Sequence, residues 1–150
     1  QYRGGLGYLF LESKVFELLS VYLSEVLELS ILSSSYISIS KSDRDSITEA
    51  KRIIDSQLAF APSCEKLAKK VNISVSKLTK GFNSLFGTSV HAYIIDQRLE
   101  KAAGLLLESD LNVSQIATLV GYSKPSNFAA AFKKKYGVIP KNYKDENTIG

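Results

Sequence analysis

One short pattern is written twice in this chain, and no other feature limits its fold so tightly. In LAKKVNISVSKL (67–78) and IATLVGYSKPSNF (116–128), Leu67, Ala68, Val71 and Ser74 match Ile116, Ala117, Val120 and Ser123 at a spacing of 49. Beyond them the spacing becomes 50, pairing Leu78 with Phe128, Phe82 with Phe132 and Gly87 with Gly137. Each copy reads as a short helix, a tight turn and a second helix, which is the layout of a helix-turn-helix.

The residues at each step fit that layout physically. Ala68 and Ala117 are small where two helices must cross closely. Asn72 and Gly121 stand in the turns, and these two residue types best tolerate a left-handed backbone. Ser74 and Ser123 follow as expected N-caps, because a serine hydroxyl can accept from the free N–H groups of a new helix. Pro125 suits a first helical turn, where its missing N–H costs nothing. Gly87 and Gly137 mark the expected helix ends. Two such units in tandem point to a chain that reads duplex DNA.

Periodicity predicts an all-α fold of eight helices, with two helix-turn-helix units joined by a long connecting helix. The first helix, 8–29, places Leu11, Val15, Leu18, Tyr22, Val26 and Leu29 on one face. Its apolar stripe must pack on residues 47–150 or on a second copy, which would make a homodimer. Residues 30–46 hold eight serines in seventeen positions and read as a connector. Helices follow over 48–58, 63–70, 74–85, 88–107, 112–119 and 124–136, with a last one from Pro140. This divides the chain into 1–46, the N-terminal helix and linker, and 47–150, the tandem reader. A connecting helix of about twenty residues is roughly 30 Å long, close to the ~34 Å between successive major-groove faces. Gly104 should weaken it by about 1 kcal/mol relative to alanine, unless a neighbour packs closely there.

Charge separates the same two parts. The net charge is +4, but 1–46 hold four basic against six acidic residues, and 47–150 hold fifteen against nine. The basic excess lies with the repeat, where a polyanion would bind. A solvated basic face meeting an acidic protein partner, as a helical interaction module, is the alternative reading of charge alone. With 45% hydrophobic residues the chain can bury one or two modest cores. The single cysteine, Cys64, cannot form an internal disulfide, which suits a reducing cytoplasm. It lies just inside a helix start, a place that lowers a thiol pKa, although packing is the commoner role of a lone cysteine. The lack of methionine suggests a piece of a longer protein. Glu12, Lys14, Glu17, Glu25 and Glu28 break the apolar stretch 6–32, so no membrane span is expected.

No enzyme, metal site or cofactor is expected. His91 and Cys64 are the only residues of their types and lie far apart, and no phosphate-cradling glycine loop is present. Asp96, Arg98 and Glu100 read as structural salt-bridge or capping groups. On the first reading helix, Ser76, Lys77, Thr79, Lys80 and Asn83 face away from Val75, Leu78 and Phe82, which are expected to be buried. Lysine can donate to guanine, asparagine can pair with adenine, and hydroxyls can contact bases or phosphates. On the second helix the outward set is Lys124, Pro125, Ser126, Asn127, Ala129 and Ala130. Lys133, Lys134, Lys135 and Lys141 read as phosphate contacts or as plain solubility.

The closing run GYSKPSNFAAAFKKKYGVIPKNY (121–143) resembles the signature of the AraC/XylS family of bacterial transcription regulators. It has a glycine-aromatic pair, a serine, two phenylalanines, a basic run, an aromatic-glycine pair and a proline. The resemblance covers about Ile47 to Lys144, roughly two thirds of the chain. LTKGFNSLFGTSVHAYI (78–94) and YLFLESKVFELL (8–19) are similar, more narrowly, to its siderophore-responsive, pyochelin-type members. The resemblance implies a transcription regulator that contacts RNA polymerase. It also implies a small-molecule effector, in the narrower group a ferric siderophore, bound by a domain outside this chain. Lys80 and Ala130 fall where many members carry an arginine that touches DNA. Ala130 cannot donate a hydrogen bond, which leaves Ser126 and Asn127 as the best readers on the second helix.

Overall fold

The computed structural model describes residues 14–23 and 38–148 of the chain. The chain divides into two units, Gln1–Ile39 and Ser40–Gly150. In the first, residues 14–23 form a helix, α1, as the periodicity predicts. The rest of the 8–29 expectation and most of the connector lie outside the described residues. Within α1, Val15, Phe16, Leu18, Leu19, Tyr22 and Leu23 are exposed, and Lys14 pairs with Glu17 at 2.6 Å.

The described residues of the second unit are helical with no strand. In order come α2 (Lys41–Ser56), a 3-10 turn (Leu58–Phe60), α3 (Cys64–Lys70), α4 (Val75–Phe86), α5 (Val90–Glu108), α6 (Val113–Leu119), α7 (Pro125–Tyr136) and α8 (Pro140–Thr148). The helix expected over 48–58 starts instead at Lys41, so residues 41–46 are not connector. The Ser40 hydroxyl accepts from Asp43 N at 3.0 Å and starts the helix there, which the serine-rich composition disguised. Ser63, Ser74 and Ser89 cap α3, α4 and α5 in the same way. Asn112 and Gln115 form a reciprocal capping box at α6.

Ser123 does not cap α7. The N-cap is Lys124, in extended conformation and without a side-chain cap bond. Pro125 forces this, because a residue before proline is pushed out of the helical region. The second turn therefore holds one more residue than the first, and this is where the repeat spacing passes from 49 to 50. The turns otherwise match. Asn72 has φ 57° and Gly121 φ 99°. The next residue's N–H returns to the buried alanine's carbonyl, Ile73 to Ala68 at 3.0 Å and Tyr122 to Ala117 at 2.9 Å. Gly87 and Gly137 end α4 and α7 in left-handed conformation.

Two small cores result. The first gathers Ile47, Ala50, Ile54, Leu67, Ala68, Leu78, Phe82 and Val90, all buried, where α2, α3, α4 and the start of α5 pack together. The second gathers Leu99, Ala102, Ala103, Leu106, Ile116, Ala117, Val120, Phe128 and Phe132. Truncating one such phenylalanine to alanine typically costs about 3–5 kcal/mol. Lys51 joins the first core's edge, pairing with Asp55 at 2.9 Å and lying over the Phe86 and Tyr93 rings. The Tyr93 hydroxyl donates to Asp55 at 2.7 Å and ties α5 to α2. The nineteen residues of α5 give it a length of about 28 Å.

Candidate nucleic-acid interface

Helices α4 and α7 each bury one face and present the other. On α4, Leu78 and Phe82 are fully buried, whereas Ser76, Lys77, Thr79, Lys80 and Asn83 are exposed. Val75, expected to be buried, is 39% exposed. It is the first residue of its helix and projects beyond the packed stripe. On α7, Phe128 and Phe132 are buried, and Lys124, Ser126, Asn127, Ala130, Lys133 and Lys134 are exposed. Ala129, expected on the outward face of α7, is half-buried.

Their chemical freedom differs. The Lys77 ammonium donates to both carboxylate oxygens of Asp43 on α2, at 3.3 and 3.1 Å. A phosphate would have to compete with that pairing. The Thr79 hydroxyl donates back to Val75 O at 3.0 Å, so toward a base it can only accept. Neither Lys80 nor Asn83 has a side-chain partner among the described residues. On the second helix, Lys124, Asn127, Lys133 and Lys134 are likewise unpaired among the described residues. Lys135 turns back to α5, donating to Asp96 at 2.5 Å and Glu100 at 3.3 Å, and so leaves the basic run as a structural strut. Asp96 and Glu100 are the ion-pairing groups their sequence suggested.

Cys64 is not activated. Burial and the neighbouring Glu65 carboxylate push its thiol pKa up, against the lowering a helix start would give. Among the described residues no cluster of ligating side chains could hold a metal ion. No described helix is long and apolar enough to cross a membrane.

Sequence reasoning missed the specific work of Arg98. Among the described residues its guanidinium binds backbone carbonyls and no carboxylate, at partners 23 to 40 positions away. No local pattern signals contacts so distant.

A helix-turn-helix domain model matches residues 67–146, more than half of the chain. The chain belongs to the AraC/XylS helix-turn-helix family. That family comprises DNA-binding transcription regulators and not enzymes. The xylose operon regulatory protein of Escherichia coli K12 is 32% identical over 102 residues, covering 68% of this chain and 26% of that protein. The C-terminal domain of the two-component response regulator YesN from Fusobacterium nucleatum is 31% identical with a TM-score of 0.60, covering 65% of this chain and 95% of that one. The DNA-binding domain of AdpA, solved with a target DNA, is 26% identical with a TM-score of 0.64, covering 67% of this chain and 90% of that one. The chain spans about a quarter of the length of the xylose regulator it matches.

Proposed function

We propose that this family member binds duplex DNA sequence-specifically through its tandem reader, with α4 and α7 entering successive major grooves on one side of the duplex. The observation that carries this is the repeated geometry. Two helices of equal length, twelve residues each, follow equivalent turns, bury equivalent phenylalanines and expose polar faces of the type that reads base edges. The likeness to a domain solved on its target DNA supports the same reading. In α4, Lys80 and Asn83 are the leading base contacts, with Ser76, Lys77 and Thr79 beside them. In α7, Ser126 and Asn127 read bases, and Lys124, Lys133 and Lys134 hold phosphates.

The finer reading concerns the whole protein. The chain serves as the C-terminal part of a cytoplasmic transcription activator that contacts RNA polymerase. Residues 1–39 belong to an effector or dimerisation region, and the small-molecule effector, a ferric siderophore, is bound by a domain outside this chain. The relatives' greater length and the exposed apolar side chains of α1 support this division.

Selection from a random duplex pool, followed by a salt titration on the best site, tests the DNA reading. With about six phosphates contacted, affinity falls by about 10³-fold between ~50 and ~200 mM salt. Recovery of no preferred sequence, or binding indifferent to salt, would return the chain to the class of protein-interaction modules.

A further inference from the structure

Arg98 stands where three segments of the domain meet. From the middle of α5 its Nε donates to Leu58 O at 3.0 Å, its Nη2 to Ala59 O at 3.1 Å and its Nη1 to Gly121 O at 3.3 Å. Leu58 and Ala59 lie in the 3-10 turn that joins α2 to α3, the first helix of the first reader. Gly121 is the left-handed residue in the turn of the second. The second reader's turn also touches this 3-10 turn directly. A Cβ on Gly121 would fall 2.4 Å from Ala59 O and 2.9 Å from Arg98 Cζ, so only a hydrogen fits.

We propose that Arg98 is the positioning residue that fixes the angle between the two readers, and through it the half-site spacing the chain accepts. This rests on the DNA reading above. Helix α5 sets the distance between the readers along its axis, but a helix alone does not fix how a domain packed at one end rotates about it. The first reader grips α5 near its start, through buried Val90 and through Tyr93 against Asp55 and Phe82. The second grips it further along, at Leu99, Ala102, Ala103 and Leu106. Arg98 lies between these two grips and bonds at once to the 3-10 turn that leads into the first reader and to the turn of the second. A guanidinium is a rigid planar fork that holds several acceptors in fixed directions, whereas a lysine ammonium is a compact point charge on a flexible stem. Inserting one base pair between half-sites turns the second by roughly a tenth of a revolution. A rigid pair of readers cannot follow that rotation, whereas a hinged pair can.

The test compares the full chain with Arg98→Lys on the best duplex from the random pool, and on versions with one base pair added or removed between its half-sites. For the unsubstituted chain each change costs about as much as a mismatched base pair, about tenfold. In Arg98→Lys the penalty shrinks to about threefold or less, and affinity for a duplex retaining one half-site stays the same. A variant that keeps the full spacing penalty, or that loses affinity equally for the single half-site, overturns the proposal. A measurement on the unsubstituted junction guards against a variant that does not fold. Spin labels on Lys66→Cys and Thr118→Cys, in a Cys64→Ser background, should give one narrow distance distribution without DNA, and a broad one overturns the proposal independently of any duplex. A pool that yields no two-part site would instead remove the DNA reading itself, and the spacing role with it.

Discussion

Replacing Gly121 with alanine should be far more damaging than the same change at Gly137, although both glycines have positive φ, 99° and 82°. At Gly137 a Cβ would meet nothing within 4 Å. Only the backbone penalty of a left-handed alanine remains, about 1–2 kcal/mol. At Gly121 the same penalty applies, and the new methyl would also lie 2.4 Å from Ala59 O, 2.9 Å from Ala59 Cα and 2.9 Å from Arg98 Cζ. Two of those atoms are backbone and cannot swing aside. Relieving such an overlap typically costs a further 1–3 kcal/mol or so, and it pushes the Arg98 guanidinium away from its carbonyls. The sum is about 2–5 kcal/mol, a large share of the roughly 5–15 kcal/mol that holds a small domain folded. Gly104 supplies the opposite control. It is helical, a Cβ there also meets nothing within 4 Å, and Gly104→Ala should stabilise by about 1 kcal/mol. Urea unfolding followed by far-ultraviolet circular dichroism orders the series as Gly104→Ala above the unsubstituted chain, then Gly137→Ala, then Gly121→Ala. Equal losses at Gly121 and Gly137 would refute the close contact between the second turn and the 3-10 turn.

Other outcomes follow from single groups. Lys80→Ala should cost about 1–3 kcal/mol of binding on a selected site and Asn127→Ala less; equal losses would show that α4 does not dominate recognition. Burial raises the phenol pKa values of Tyr93, Tyr122 and Tyr136. The folded chain therefore holds these protons more tightly than the unfolded one. Their contribution to stability is intact below the ordinary tyrosine value of about 10 and is lost as pH rises through the folded values. Tyr122 has a buried hydroxyl with no partner among the described residues. Tyr122→Phe should therefore leave neutral-pH stability within about 0.5 kcal/mol or raise it, and should shrink the alkaline loss; an unchanged alkaline profile would count against burial as its cause. A chain starting at Ser38 should stay folded and lose any self-association, measured by sedimentation. One starting at Asp45 lacks the Ser40 cap and should be weaker by about 1 kcal/mol.

The readable part of this fold was the part written locally. Ala68 and Ala117, the left-handed Asn72 and Gly121 and the terminal glycines all act within one or two helical turns of themselves, so their spacing carried the geometry. Where two local rules competed, the stronger steric one won. Ser123 is a good cap by type, yet Pro125 dictates the conformation before it and moves the cap to Lys124. The start of α2 was hidden because Ser40 and Ser42 look like connector, and only the Ser40 to Asp43 bond distinguishes a cap from a loop. Distant pairings left no trace in spacing. Lys77 was legible as an exposed lysine, but not its partner Asp43, 34 positions earlier. Arg98 was legible as structural, but not the three carbonyls that give it its task.

Hydroxyl-radical footprinting on a selected duplex distinguishes a tandem reader from a single one. Two protected segments are expected about one helical turn apart on the same face, the one under α4 weakened by Lys80→Ala and the one under α7 by Asn127→Ala. A single protected segment, or two that respond together to either substitution, would contradict a tandem reader with separate contacts.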